Sequence, residues 1–229
     1  MKKVALMLCA LLLASPSAFA AGERKYEVTI TNLTAGQAFT PVLAATHKPS
    51  ISFFELGQPA SMELEILAEG GNTMPLSDLL GSVPNLVMDT SGTGGLLLPG
   101  KSMTFTIYGS HKFSYFSFAA MMLPTHDNIV AINTVRLPWN YLTTYAKAYD
   151  VGTEYNDEMC ENIPGPPCMG EGYNEESGEG FVHVANGVHG VVDPETLEDG
   201  APFVDPILHD WRNPVAMVSI KRLWTRAAP

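Results

Sequence analysis

An all-β fold, an antiparallel sandwich, is what this sequence predicts, and three observations carry that prediction. Segments 26–33, 39–45, 102–108, 114–123, 129–137, 143–149, 180–185 and 215–223 are rich in β-branched and aromatic residues. Gly and Pro turns such as Pro99-Gly100 and Gly109-Ser110 separate them. Within 102–108, Ser102, Thr104, Thr106 and Tyr108 alternate with Met103, Phe105 and Ile107, the period-two pattern of a half-buried antiparallel strand.

Each remaining stretch has its own signal. The segment 129–137, read as a strand, puts Ile129, Ala131, Asn133, Val135 and Leu137 on one face. Residues 60–69 mix Met, Leu, Glu and Ala, and residues 75–80 follow directly on Met74; both read as short helices. The stretch 161–180 is rich in Gly, Pro and Glu and reads as a long acidic loop, and 193–210 as an irregular segment. Trp211 reads as a plug at the end of the sandwich, with Asp210 and Asn213 organising the turn into the last strand behind Pro214. No internal repeat is present, and residues 21–229 suit a single domain.

The N-terminus predicts the compartment. Met1-Lys2-Lys3 is a positive n-region, residues 4–14 are apolar, and Ala18-Phe19-Ala20 is a small-x-small cleavage site. Residues 1–20 are thus expected to be a cleaved signal peptide of bacterial type, too short to anchor in a bilayer, and the product periplasmic or secreted. The sequon Asn32-Leu33-Thr34 is expected to stay unglycosylated. No later stretch reaches the ~18 apolar residues of a membrane helix.

Loss of Lys2 and Lys3 leaves 11 basic residues against 24 acidic ones, a net charge of −13. Such a surface repels nucleic acid and anionic lipid. Lys221, Arg222 and Arg226 form a local basic exception too small to hold a polyanion alone. With Cys9 removed, Cys160 and Cys168 remain, and an oxidising compartment predicts a bridge closing the short loop around Pro164-Gly165-Pro166-Pro167. A redox pair or thiolate metal site lacks the close spacing or histidine company it needs.

Two acidic stretches flank the 129–137 segment: Pro124-Thr125-His126-Asp127-Asn128, and residues 149–158, which carry Asp150, Glu154, Asp157 and Glu158. A strand between them returns both to one rim. Asp127, Asp150 and Glu154 gathered there repel one another unless a cation intervenes, and hard oxygen ligands suit Ca²⁺. Gly152 lets the chain curve so that Asp150 and Glu154 face one centre. The plainer alternative is a set of solvated acidic loops. A rival site uses the imidazoles of His183 and His189, near Asp193, to hold Zn²⁺ or Cu²⁺ and make a metallohydrolase. Their six-residue spacing matches neither helical nor strand ligand pairs. No G-x-S-x-G nucleophile signature is present.

Asp127 after Pro124-Thr125, followed by Tyr149-Asp150-Val151-Gly152-Thr153-Glu154, resembles the calcium loops of the spondin N-terminal domain family. Tyr26-Glu27-Val28-Thr29-Ile30 is similar to its opening strand. His47, Gly57, Ala60-Ser61 and Ala68-Glu69-Gly70-Gly71 follow in the family's order, and 214–222 is similar to its closing strand. The resemblance implies a C2-like sandwich with calcium at loop tips on one edge, held by Asp127, Asp150 and Glu154. It implies a non-catalytic module for binding or adhesion in extracellular or cell-surface interaction; the partner does not carry over from the family, and an extracellular or envelope protein or glycan is expected. The sequence departs from the family at Asn128, where an aromatic is usual, and Asn133, where an acid is usual.

Overall fold

The computed structural model describes residues 22–173, 178–190 and 203–224; the expected signal peptide at 1–20, Asp193 and Arg226 lie outside them. Among the described residues ten strands form one antiparallel sheet system. They are β1 (Glu23–Asn32), β2 (Ala38–Phe39), β3 (Leu43–His47), β4 (Val87–Gly92), β5 (Ser102–Ser110), β6 (Tyr115–Leu123), β7 (Asn128–Arg136), β8 (Tyr141–Asp150), β9 (His183–Val184) and β10 (Ala216–Leu223). The main path runs β4-β3-β6-β7-β8-β10-β1-β5, with β2 added to β6 and β9 to β8. The two edges of that path nearly meet. Tyr108 N–H on β5 donates to Asp89 Oδ2 on β4 at 2.8 Å, and Thr46 Oγ1 donates to Tyr108 O. The sheet therefore folds into a nearly closed sandwich, which hides its edges from further pairing.

Inside it, Tyr26, Val28, Ile30, Phe116, Phe118, Val218 and Ile220 form the main core. The outer face of β3, β6 and β7 is covered too, by α1 (Met62–Gly70) and α2 (Met74–Gly81), where Leu64, Leu67, Leu76 and Leu80 meet Leu43, Ala119, Ile129 and Ala131. Burial on both faces explains why β6 is a continuous apolar run, while β5 and β8, with one face in solvent, alternate. The α1 helix starts where Ser61 accepts from Leu64 N–H, and ends on Gly71 at φ 65°, where a left-handed residue closes the last turn.

Three expectations need correction. The segment 39–45 divides into β2 and β3, because Thr40 Oγ1 accepts from Met121 N–H and Pro41 interrupts the pairing. The segment 180–185 shrinks to the two residues of β9. The segment 129–137 does not keep one face. Phe116 pairs with Val135 but Phe118 with Ile132, and Thr134, at φ 74°, forms the bulge between them. Ile129 and Ala131 consequently pack under the helices, whereas Val135 and Leu137 turn into the sandwich. Asn133 binds the loop above it: Oδ1 accepts from Phe53 N–H at 2.8 Å and Nδ2 donates to Phe54 O at 2.6 Å. A carboxylate cannot make the second bond, which gives the departure from an acid a structural reason.

Other expectations hold in detail. Trp211 is buried in the main core, and Asn213 Oδ1 accepts from Ala148 N–H. The Asn32 amide is buried and donates to Gln37 O and Leu97 O, so the sequon is closed to a glycan in the folded protein. Cys160 and Cys168 are bridged. In the chain-entropy picture a loop this short contributes about 2–3 kcal/mol. Replacing both cysteines by serine is expected to lower denaturant stability by that amount. Intact mass of freshly isolated, thiol-blocked protein should show the two-hydrogen deficit; two blocked thiols would contradict the bridge. No helix among the described residues is long and apolar enough to cross a membrane.

Candidate metal centre

Antiparallel pairing of β7 with β8 sets Asn128 opposite Asp150. The start of one strand and the end of the other therefore share a rim, and Asp127 and Asp150 arrive there together. Both are buried, as is Glu154, at 0%, 2% and 1% exposure. Burial of three carboxyl groups at one loop tip is costly unless each is compensated.

Part of the compensation comes from the chain itself. Asp127 Oδ2 accepts from Thr153 N–H at 2.7 Å, Thr153 Oγ1 at 3.2 Å and Glu154 N–H at 3.2 Å, clamping the second acidic stretch onto the first. Asp150 Oδ1 accepts from Gly152 N–H at 2.9 Å, and its Oδ2 from Asn156 Nδ2 at 2.9 Å. Gly152 sits at φ 72°, and a Cβ there would meet Phe181 O at 2.4 Å, so glycine is required on both counts. Among the described residues Asp127 Oδ1 has no hydrogen-bond partner, although it is fully buried. An unpaired buried acceptor costs roughly 1–3 kcal/mol, more if charged, and a proton or a cation bound there would remove the cost.

Electrostatics at the rim follow from burial. It pushes the Asp127 carboxyl up, against the bonds from Thr153 and Glu154 and the nearby His126. Asp150 is pushed up to about 7, first by burial and then by the charge of Asp127, with His183 opposing. His126 stands beside them, its Nδ1 4.0 Å from Glu154 Oε2 and its Nε2 3.1 Å from Asp157 Oδ1. The Glu158 N–H donates to His126 Nε2 at 3.1 Å, but its carboxylate is engaged elsewhere, accepting from His189 N–H at 2.6 Å and Gly190 N–H at 2.8 Å.

The two histidines of the rival site part company. β9 pairs with β8 so that His183 lies opposite Asp150, and its Nε2 is 3.3 Å from Asp150 Oδ1 and 3.6 Å from Glu179 Oε2. Burial draws the His183 imidazole down, but Asp150, the Val184 carbonyl and Glu179 outweigh it and leave it raised. Asp150, Glu179 and His183 offer ligand atoms that all lie within 4.8 Å of one another. His189 takes no part in that group; its Nε2 lies 2.8 Å from Asn186 O. Glu179 carried no signal in the sequence beyond acidity in a long acidic loop. The approach of His183 to Asp150 depends on a two-residue strand that no period reveals.

The nearly closed sandwich and its carboxylate-lined loop rim define a non-repetitive β-sandwich module with a candidate cation site at one end. The family profile described as Spondin_N matches residues 26–158, more than half of the chain, and the chain belongs to the spondin N-terminal domain family. Asp127, Asp150 and Glu154 fall inside the match; His183, His189 and β10 follow it. A comparison with curated proteins finds no match.

Proposed function

We propose that this chain is a calcium-binding spondin-type module that works outside the cytoplasm in binding or adhesion and catalyses nothing. The observation that carries the reading is the buried rim of Asp127, Asp150 and Glu154, where Asp127 Oδ1 lacks a partner among the described residues. By ligand type the donor set suits the ion, since these three carboxylates offer hard oxygens, which Ca²⁺ accepts in a flexible shell completed by carbonyls or water. Their oxygens would draw together around it, because among the described residues the group within 4.8 Å is Asp150 with Glu179 and His183. Bound calcium would supply the charge that lets all three ionise together, which fixes the two acidic stretches on each other and shapes the loop tips for a partner. The disulfide fits an oxidising compartment. An extracellular or envelope protein or glycan is the class of partner such a module meets.

One observation favours a second reading. The mixed nitrogen and oxygen group of Asp150, Glu179 and His183 is a donor set that Zn²⁺ or Cu²⁺ accepts. Elemental analysis of protein purified without chelator separates the two. Calcium without stoichiometric zinc or copper is expected, and the variant carrying both His183→Ala and His189→Ala should keep its calcium. Stoichiometric zinc or copper, lost in His183→Ala alone, would replace the calcium reading with the transition-metal one.

A further inference from the structure

Opposite the carboxylate rim, the sandwich ends in a mouth built from different chemistry. The inward column on β1 reads Arg24, Tyr26, Val28, Ile30, and that on β10 reads Ala216, Val218, Ile220, Arg222. Six of these eight positions are core residues with side chains sealed in the sandwich. The two at the mouth are arginines, where the pattern calls for apolar side chains. Tyr26 pairs with Arg222, and Arg24 with Gly109, so both arginines sit at the same end. The last residue of β7, Arg136, joins them, since β6 and β7 pair Tyr115 with Arg136. From Asn128 to Arg136 the strand spans roughly 25 Å, so the mouth is remote from the metal rim.

Among the described residues no carboxylate pairs with this charge. None of the ion pairs among the described residues involves Arg24, Arg136 or Arg222, although acidic residues outnumber basic ones about two to one in the chain. Arg222 is held by rings instead: its guanidinium lies 3.9 Å from the Trp224 centroid and 4.8 Å from that of Trp139, and the two indoles meet edge-on at 5.5 Å. Arg24 lies 5.6 Å from the Trp139 centroid. Both tryptophans are exposed, Trp139 at 68% and Trp224 at 55%. Large apolar rings are normally buried, and here cation–π contacts fix them in solvent as a preformed wall. Beside that wall opens a cavity of about 340 Å³, lined by Arg24, His111, Ser114 and Arg136 on its polar side and by Trp139 and Leu142 on its apolar side.

We propose that this mouth binds a carboxylate-bearing sugar, a uronic acid residue of an acidic glycan. The polar side supplies two guanidiniums, whose fork geometry matches a carboxylate, and Ser114 and His111 for ring hydroxyls. The indole of Trp139 supplies a flat apolar surface for the C–H face of the pyranose. The cavity selects a sugar over a membrane: it is the size of a small-ligand pocket, and a bilayer surface does not enter it. Lys221 and Arg222 alone made too small a basic site, but strand pairing brings Arg24 and Arg136 to it from elsewhere in the chain. This site is separate from the calcium reading and does not rest on it.

The test is calorimetric titration of residues 21–229 with trigalacturonate, in chelator so that no metal bridges ligand and rim. Binding is expected that weakens with salt, and that is roughly tenfold or more weaker for the methyl-esterified trisaccharide, because a charge-assisted bond is lost. Arg24→Gln and Arg136→Gln are each expected to weaken binding to a similar degree, and Trp139→Ala to weaken it with an unchanged salt dependence. Asp127→Asn, at the far rim, should bind trigalacturonate like the parent. Each variant's melting curve reports that it is folded. Equal affinity for the neutral ester, full affinity in the Arg24→Gln, Arg136→Gln double variant, or no heat at millimolar ligand would each overturn the proposal. So would tight binding to phosphatidylglycerol vesicles without binding of the trisaccharide, which would make the mouth a lipid contact. A sulfated trisaccharide without uronic acid binding more tightly than the uronate would reassign the anion and overturn the carboxylate choice.

Discussion

Millimolar Ca²⁺ is expected to raise the melting temperature of the chelator-treated protein by roughly 5–10 °C. A ligand that binds only the folded state stabilises it by about 2.7 kcal/mol at a hundredfold excess over its Kd. For a domain of this size each kcal/mol moves the midpoint by about 2–4 °C. The response should vanish in Asp150→Ala, which removes a buried carboxylate of the rim, and in Asp127→Asn, which keeps the shape but not the charge. Glu171→Ala, an exposed carboxylate in the long loop, should respond like the parent. Magnesium is a demanding control, since it holds its water more tightly and requires a stricter octahedron than a loop rim offers. Similar shifts with both ions, or equal loss of response in Glu171→Ala and Asp150→Ala, would mean diffuse screening of an acidic surface with no defined site.

Why the sequence disclosed this rim and not its surroundings is a matter of range. Asp127 and Asp150 stand at the outer ends of β7 and β8, two strands joined by a short turn, so the pairing that unites them is local, and it is regular from Asn128 to Ala131. Gly152 is legible for the same reason: a glycine midway between two acids four positions apart, the first of them the strand end, has few other roles. The His183 contact is different. It crosses the whole long loop and is made by a strand of two residues, which no period can signal. β4, with its Val-Met-Asp-Thr-Ser-Gly, escaped because only Val87 of its six residues is buried; Asp89 and Thr90 look like turn residues until β3 pairs with them. The face of β7 was misread because periodicity assumes unbroken pleating, and the bulge at Thr134 inserts one residue. At the mouth, Arg24 falls before the apolar part of its strand and Arg222 after the apolar part of its own. Charge at such ends is read as solvated by default, and only the inward register makes it unusual.

Metal-free protein should lose stability as pH rises across the window in which a calcium-loaded protein would not. In the unfolded chain an aspartate gives up its proton near pH ~3.9. In the folded chain Asp150 keeps it until about 7, burial being the first cause and Asp127 the second. Between those values the folded state binds more protons than the unfolded one, so this group's contribution is complete below pH ~4 and is lost by about 7. Asp127 and His183, both raised, act in the same direction. Other carboxylates impose their own slope, so the measurement is a difference: the melting temperature of Asp150→Asn minus that of the parent, in chelator, from pH 4.5 to 7.5. That difference is expected to grow in favour of the variant, on the order of a few kcal/mol of stability, because the amide needs no proton to be neutral. With millimolar Ca²⁺ present it should reverse sign at the upper end, where the ion takes the proton's place and only the carboxylate can use it. A difference that stays constant with pH in chelator would show that Asp150 ionises in the folded protein as it does in the unfolded chain. The buried rim would then be neutralised by something other than a proton or a cation.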